Sequence, residues 1–192
     1  LVELIWKLGR VVLTGRMIVP ITPLGGWKTL PKPAPCVTVS GFAFDEAGRF
    51  PVLYRGPNVR SARNCWSLPS GLHEAGYSLA EQFCNELAEE CGLEASVSGA
   101  VHLGVYENIA PELISQPAEA QWHWVIHLLA VRVKTLDTLI NKEPDKHPEL
   151  KIITVNELAA LQPWAPNLYQ TICACSTEIR AAALRLGGGS NV

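Results

Sequence analysis

The chain has 192 residues, of which 48% are hydrophobic and 18% are charged, and its formal net charge is −2. A chain of this length and composition can bury a core, so the class of intrinsically disordered proteins is excluded. The near balance of charge gives no support to a stable nucleic-acid partner, which would need clustered Lys and Arg. The sequence predicts neither a membrane span nor a signal peptide.

The cysteines predict a reducing environment. There are six of them, and none forms a CxxC pair. We interpret them as reduced thiols of a cytoplasmic protein rather than as a disulfide framework. Cys173 and Cys175 form a CxC, for which packing in a helix is favoured over a metal or redox role.

The amino-terminal part differs in pattern from the rest. Residues 1–35 predict an extension that ends in the Pro-rich connector PKPAP, and VVLTGRMIV within it indicates one or two strands. Residues 36–186 predict one domain, and residues 187–192 predict a flexible tail.

Within the domain, apolar runs bounded by turn residues alternate with helical patterns. Helices are expected at 78–91 and from Asn167 to near Leu186, and a long loop at 109–120. Strands are expected at 36–44, 50–55, 95–108, 122–133 and 151–155. Strands interleaved with helices indicate an α/β domain with a mixed sheet.

The helix at 78–91 carries the strongest chemical signal. Ser78 followed by Glu81 is a capping box, and Gly92 is typical of a residue just past a helix end. Glu86, Glu89 and Glu90 crowd the carboxyl-terminal turns, where the helix dipole disfavours carboxylates.

The helical period places these acids at unequal positions. Glu89 faces solvent, Glu86 lies at the margin of the apolar face, and Glu90 falls between Leu79 and Phe83. A carboxylate at such a position needs a compensating positive charge, and residues 78–93 contain no Lys or Arg. Oxygen ligands of this kind suit Mg2+ or Mn2+. The alternative is a solvated acidic face that borders the core.

The segment from Gly71 to Leu93 resembles the box of the Nudix hydrolases, G-x5-E-x7-R-E-U-x-E-E-x-G-U, in which U is a bulky aliphatic residue. The matching residues, in register and without gaps, are Gly71, Glu86, Leu87, Glu89, Glu90, Gly92 and Leu93. The preceding WSLPSG is also similar to the family pattern. Two positions depart: Tyr77 stands where the family has Glu, and Asn85 where it has Arg. In the family those two residues form a salt bridge that braces the loop against the helix.

The resemblance implies a Nudix-type α/β/α sandwich with a central mixed sheet. It also implies hydrolysis of a small-molecule nucleoside diphosphate linked to another moiety, with Mg2+ or Mn2+ as cofactor. Glu86 and Glu90 would be the main metal ligands, and the Gly71 carbonyl a backbone ligand. Glu89 would be a further ligand or the base that takes a proton from the attacking water.

Further residues are candidates for the same site. In some family members the base lies on a later loop, where Glu143 and Glu149 are the candidates. Arg55, Arg60 and Arg63 are candidates for holding phosphates, against a role as solubilising charges. Tyr106, Trp122 and Trp124 are candidates for stacking on a nucleobase, against a role in the core. His123 and His127 are not expected to bind the metal.

Three hypotheses remain open from the sequence. The first is a metal-dependent Nudix-type pyrophosphohydrolase. The second is a catalytically weak or inactive Nudix-like nucleotide-binding module, which the departures at Tyr77 and Asn85 motivate. The third is a structural domain with a solvated acidic helix end. Residues 1–30 are expected either to cover a sheet edge or to exchange between the two chains of a homodimer.

Overall fold

The computed structural model describes residues 35–59, 61–109 and 123–187, together with the backbone of residues 10–13 and 17–20. In the amino-terminal part, β1 (Arg10–Leu13) pairs with β2 (Met17–Pro20) as an antiparallel hairpin. The expectation of one or two strands there is confirmed.

The elements of the remaining described residues follow the alternation that the sequence predicts. The strands are β3 (Cys36–Phe44), β4 (Arg49–Arg55), β5 (Cys65–Ser67), β6 (Ser70–Leu72), β7 (Ala95–Ile109), β8 (His123–Val133) and β9 (Glu149–Thr154). The helices are α1 (Leu79–Cys91), a 3-10 helix (Val155–Ala160), α2 (Leu168–Ala174) and α3 (Ser176–Leu186).

The central sheet is mixed, with the strand order β6-β3-β8-β7. Strands β3 and β8 run parallel, whereas β6 and β7 are antiparallel to their neighbours. A second sheet, β5-β4-β9, is antiparallel throughout.

Strand β3 is buried on both faces, and alternate residues face different layers. Val39 and Ala43 pack with Phe83 and Leu87 of α1 on one side. On the other side, a second cluster joins the central sheet to β4 and α3, and its members include Phe42, Phe44, Phe50, Val52, Ile179 and Ala183. The sheet therefore lies between helices, and the expected α/β/α sandwich with a central mixed sheet is confirmed.

The terminal helix differs from its prediction. Instead of one helix from Asn167 to near Leu186, the structure has α2 and α3, which are separated at Cys175, with φ −97° and ψ 18°. The Cys175 sulfur lies 3.3 Å from where a Cβ on Gly104 would stand, so this side chain packs against β7. The break was not predicted because a tertiary contact of this kind does not alter the helical period of the sequence.

Among the described residues, no helix has both the length and the apolar character that crossing a bilayer requires.

Candidate functional site

Helix α1 begins and ends where the sequence places its signals. The Ser78 amide donates to Glu81 Oε2 at 2.7 Å, and the Glu81 amide donates to the Ser78 hydroxyl at 3.3 Å. Gly92 takes the left-handed conformation, with φ 64°. These local signals fix the register of the helix and therefore the directions of its acids.

The carboxyl end of α1 is satisfied by a distant loop, residues 140–147, which we call the docking loop. The Ile140 amide donates to the Cys91 carbonyl and the Lys142 amide donates to the Glu90 carbonyl, both at 3.0 Å. The Lys142 Nζ donates to the Ala88 carbonyl at 2.9 Å. A cation from elsewhere in the chain thus caps the negative end of the helix, which its own sequence leaves without one.

Glu90 points into the protein, as the helical period predicts. It is 6% exposed, and its Oε2 accepts a hydrogen bond of 3.0 Å from the Ser70 amide at the start of β6. Its Oε1 lies 3.3 Å from Nε2 of His147. No arginine or lysine of the described residues forms an ion pair with it, so an imidazole and a backbone amide are its polar neighbours.

Glu86 lies one turn earlier and presses against Gly71. A Cβ added to Gly71 would stand 1.9–2.1 Å from the carboxyl atoms of Glu86, so only glycine leaves room for this carboxylate. Burial raises the pKa of Glu86 to about 7, and the hydrogen bond from Gln82 opposes that shift. The neighbouring charges of Glu90, Glu89 and Glu143 raise the pKa further.

We expect Gly71→Ala to lower Mn2+ affinity at least about tenfold while leaving the fold intact, because the new methyl group displaces the Glu86 carboxylate and β6 is an edge strand. Calorimetric titration with Mn2+ measures the affinity, and circular dichroism checks the fold. Leu72→Ala, at the exposed neighbouring residue, is the matched control. An unchanged affinity in Gly71→Ala would show that Glu86 does not hold the ion.

Gln82 connects Glu86 to the loop that precedes α1. It is 4% exposed, its Nε2 donates to Glu86 Oε1 at 2.8 Å, and its Oε1 accepts from the Glu74 amide at 3.2 Å. The Tyr77 side chain is 47% exposed, and no hydrogen bond among the described residues joins it to Asn85. Gln82 therefore connects the loop to the helix, and Tyr77 and Asn85, which replace the family's salt bridge, do not.

Gln82→Met is expected to weaken Mn2+ binding about tenfold, because methionine keeps the packing volume but cannot orient the Glu86 carboxylate. Gln170→Met, at an exposed position of α2, is the matched control. Calorimetry measures the Mn2+ affinity, and a thermal melt shows whether the variant is still folded. Weaker binding by a folded variant indicates that the Glu86 carboxylate has lost its orientation. If Gln82→Met binds Mn2+ like the parent, then Gln82 only fills space.

Three potential ligands converge at the helix end. The ligand atoms of Glu90, Glu143 and His147 all lie within 4.8 Å of one another. Lys146 Nζ forms an ion pair of 2.6 Å with Glu143 Oε1 at the exposed edge of this cluster. The hydrogen bond with Glu143 is the main cause that raises the pKa of Lys146. Two carboxylates and an imidazole are a donor set that a divalent cation can use.

The other two catalytic candidates, Glu89 and Glu149, do not belong to this cluster. Glu89 is exposed, as the helical period predicts, and it is close enough to Glu86 to raise the pKa of that carboxyl. Glu149 is exposed on β9, where its Oε2 lies 3.5 Å from Lys151 Nζ, and it is outside the converging cluster. Of the two candidates on the later loop, Glu143 is thus the one that lies beside Glu90.

A cavity of about 420 Å³ opens beside these acids. Its lining residues include Gly71, Glu90, Lys146 and His147 from the region of these acids, and Arg55, Tyr106, Asn108 and Trp124 from β4, β7 and β8. Burial raises the pKa of the Tyr106 phenol, and the nearby Arg55 opposes that shift. The cavity lining thus combines the carboxylate of Glu90 with aromatic rings and a guanidinium.

The three arginine candidates differ in their placement. The Nη2 of Arg55 donates to the Ser61 carbonyl at 3.0 Å, so Arg55 both lines the cavity and orders the loop that follows β4. Arg63 is exposed, donates to the Val59 carbonyl at 2.8 Å, and is not among the lining residues. Arg60 and Trp122 lie outside the described residues.

His147 and Gln82 were not candidates in the sequence analysis. Neither belongs to the box pattern, and His147 lies in a charged loop without periodicity. The signal that was available for His147 is its nearness in sequence to Glu143.

Comparisons with known proteins agree with this geometry at the level of the fold. No protein-family model matches the chain, and no curated protein matches it. Among solved structures it is similar to a MutT Nudix hydrolase from Burkholderia pseudomallei, with a TM-score of 0.58 and 21% identity over 72% of this chain and 96% of that chain. It is also similar to the Nudix domain of NrtR from Shewanella oneidensis, complexed with ADP ribose, with a TM-score of 0.57 and 17% identity over 82% and 97% of the two chains.

A third similar structure is a bifunctional NMN adenylyltransferase/ADP ribose pyrophosphatase from Francisella tularensis, complexed with AMP and a manganese ion. Its TM-score is 0.55 with 17% identity, and the match covers 80% of this chain and 44% of that chain. These likenesses show that the chain has a Nudix fold.

Proposed function

We propose that this protein is a divalent-metal-dependent pyrophosphohydrolase that cleaves a nucleoside diphosphate linked to another moiety. The observation that carries the proposal is the pairing of Glu86 and Glu90 one turn apart, with Glu86 against Gly71 and Glu90 against Ser70, beside a cavity of about 420 Å³. Glu90 is buried and Glu86 is half-buried, and no arginine or lysine of the described residues forms an ion pair with either, an arrangement that is costly unless a cation compensates it.

The donor set fits Mg2+ or Mn2+. We assign Glu86, Glu90 and Glu143 as side chains that hold the ion, and Gly71 as the residue whose lack of a side chain gives Glu86 its place. When bound, such an ion neutralises diphosphate oxygens and acidifies an attacking water.

The other residues bind and orient the substrate. Arg55 lines the cavity, where its guanidinium can bind a phosphate, and Tyr106 with Trp124 offers aromatic surface for a nucleobase. We assign Glu89 as the general base, because it is exposed and no ion pair among the described residues engages it, whereas Glu143 is held by Lys146. Residues 36–186 form the catalytic domain in this proposal, and residues 1–35 are an extension to it.

Two of the similar structures support the substrate class, since one is a complex with ADP ribose and the other a complex with AMP and manganese. The test is a panel of ADP-ribose, dinucleoside polyphosphates, NADH and oxidised deoxynucleoside triphosphates, each with Mg2+ or Mn2+. We expect turnover of at least one of them, and loss of that turnover in Glu86→Gln. Absence of turnover on every compound would reject the proposal.

The second candidate function is a nucleotide-binding module without catalysis. The exposed Tyr77, which lacks a link to Asn85, is the observation that favours it. Nucleotide affinity that neither requires a metal nor changes in Glu90→Gln would support this function, and measurable hydrolysis would exclude it.

A further inference from the structure

The most unusual side chain in the cluster is His147. It is 2% exposed, and its Nε2 lies 3.3 Å from Glu90 Oε1. Its other ring nitrogen, Nδ1, is buried and has no hydrogen-bond partner within the described part of the chain. A histidine kept only for structure is expected to pair both ring nitrogens, because a buried unpaired polar atom costs about 1–3 kcal/mol.

The docking loop fixes the position of this imidazole. The His147 amide donates to the Glu143 carbonyl at 2.9 Å, and Asn141 Nδ2 donates to the His147 carbonyl at 2.6 Å. The Glu143 amide in turn donates to Asn141 Oδ1 at 3.2 Å. The docking loop therefore holds Glu143 and His147 together beside Glu90.

The size of the cluster matches one ion. Ligands on opposite sides of a divalent ion, each at about 2.1 Å, lie about 4.2 Å apart. The ligand atoms of Glu90, Glu143 and His147 are all within 4.8 Å of one another, so small side-chain movements bring them to one centre. The ion pair between Glu143 and Lys146 does not prevent Glu143 from binding a metal ion, because an ion pair at the surface stabilises a protein by only about 0–1 kcal/mol.

We propose that His147 supplies an imidazole nitrogen to the ion that Glu90 and Glu143 hold, so that the site prefers a first-row transition cation to Mg2+. This inference rests on the proposed metal site and changes its chemistry. Mg2+ favours oxygen ligands and geometry that is close to octahedral, whereas first-row transition cations bind a site that includes imidazole, and Co2+ and Zn2+ bind it more tightly than Mn2+. The 3.3 Å approach of His147 Nε2 to Glu90, the convergence of two carboxylates on this imidazole, and its lack of a second hydrogen-bond partner among the described residues together carry the proposal.

The test is pulsed electron paramagnetic resonance on the full chain loaded with one equivalent of Mn2+. We expect the modulation of a directly bound nitrogen, and its altered pattern when the protein is labelled with 15N-histidine. The signal is expected to vanish in His147→Gln and to persist in His102→Gln, a control on the exposed imidazole of β7. Calorimetry is expected to show Mn2+ bound at least about tenfold more tightly than Mg2+, with this preference reduced in His147→Gln.

Each outcome decides the inference. Absence of nitrogen modulation in the parent protein overturns it, and so does modulation that survives in His147→Gln. The parent measurement with 15N-histidine decides between bound and unbound nitrogen even if His147→Gln does not fold. Mg2+-supported turnover without nitrogen modulation would leave the hydrolase proposal standing and remove this one. Nitrogen modulation without turnover on any compound would support the imidazole ligand and remove the hydrolase proposal.

Discussion

Glu90→Gln is expected to lower kcat at least about a thousandfold, which corresponds to about 4 kcal/mol of lost transition-state stabilisation. The amide has the volume of the carboxylate and still offers an oxygen to the Ser70 amide, but it has no charge with which to hold a divalent ion. Steady-state hydrolysis of the substrate identified by the panel, at saturating Mn2+, measures the effect.

The control for Glu90→Gln is Glu94→Gln, an exposed acid just beyond the helix, which is expected to keep the parent activity. A thermal melt of both variants separates chemistry from folding. Because the buried charge is removed, Glu90→Gln is expected to be at least as stable as the parent without metal. Activity within tenfold of the parent would contradict the role of Glu90 as a metal ligand.

The second large effect is on pH. The pKa of Glu86 in the folded protein is about 7, raised first by burial, so below pH 7 this group carries a proton that an ion must displace. The apparent Mn2+ affinity is therefore expected to rise about tenfold per pH unit below pH 7 and to level off above it. Calorimetry in buffers of different ionisation enthalpy counts the released proton directly.

The same shift has a consequence for stability without metal. The folded-state pKa of Glu86 lies above its ordinary value of 4.5, so its contribution favours folding below pH 4.5 and is lost as the pH rises through 7. We expect Glu86→Gln to remove both the proton release and this part of the pH dependence of Tm. If the parent protein binds Mn2+ equally at pH 5.5 and 7.5, Glu86 does not titrate as described.

Those features of the site that depend on neighbouring residues were predictable from the sequence. Ser78 with Glu81 and Gly92 fixed both ends of α1 by contacts within a few residues, and the 3.6-residue period then gave the buried direction of Glu90 and the exposed direction of Glu89. The layers of the fold followed from the alternation of strand and helix patterns, because each pattern is local.

The features that sequence reasoning missed depend on distant parts of the chain. Gln82 lies only about 20° around the helix from Glu89, so the period predicts a solvated amide. The loop before α1 covers it instead, and its burial appears only in three dimensions. His147 reaches Glu90 because the docking loop bonds to the end of α1, and no spacing in the sequence encodes that contact.

The attachment of the docking loop also limits how the cavity can open. Lifting this loop would leave the carbonyls of Ala88, Glu90 and Cys91 without their donors, at a cost of about 1 kcal/mol for each lost bond. These bonds hold the docking loop against α1, so Lys146 and His147 form a braced wall of the cavity rather than part of a freely swinging lid.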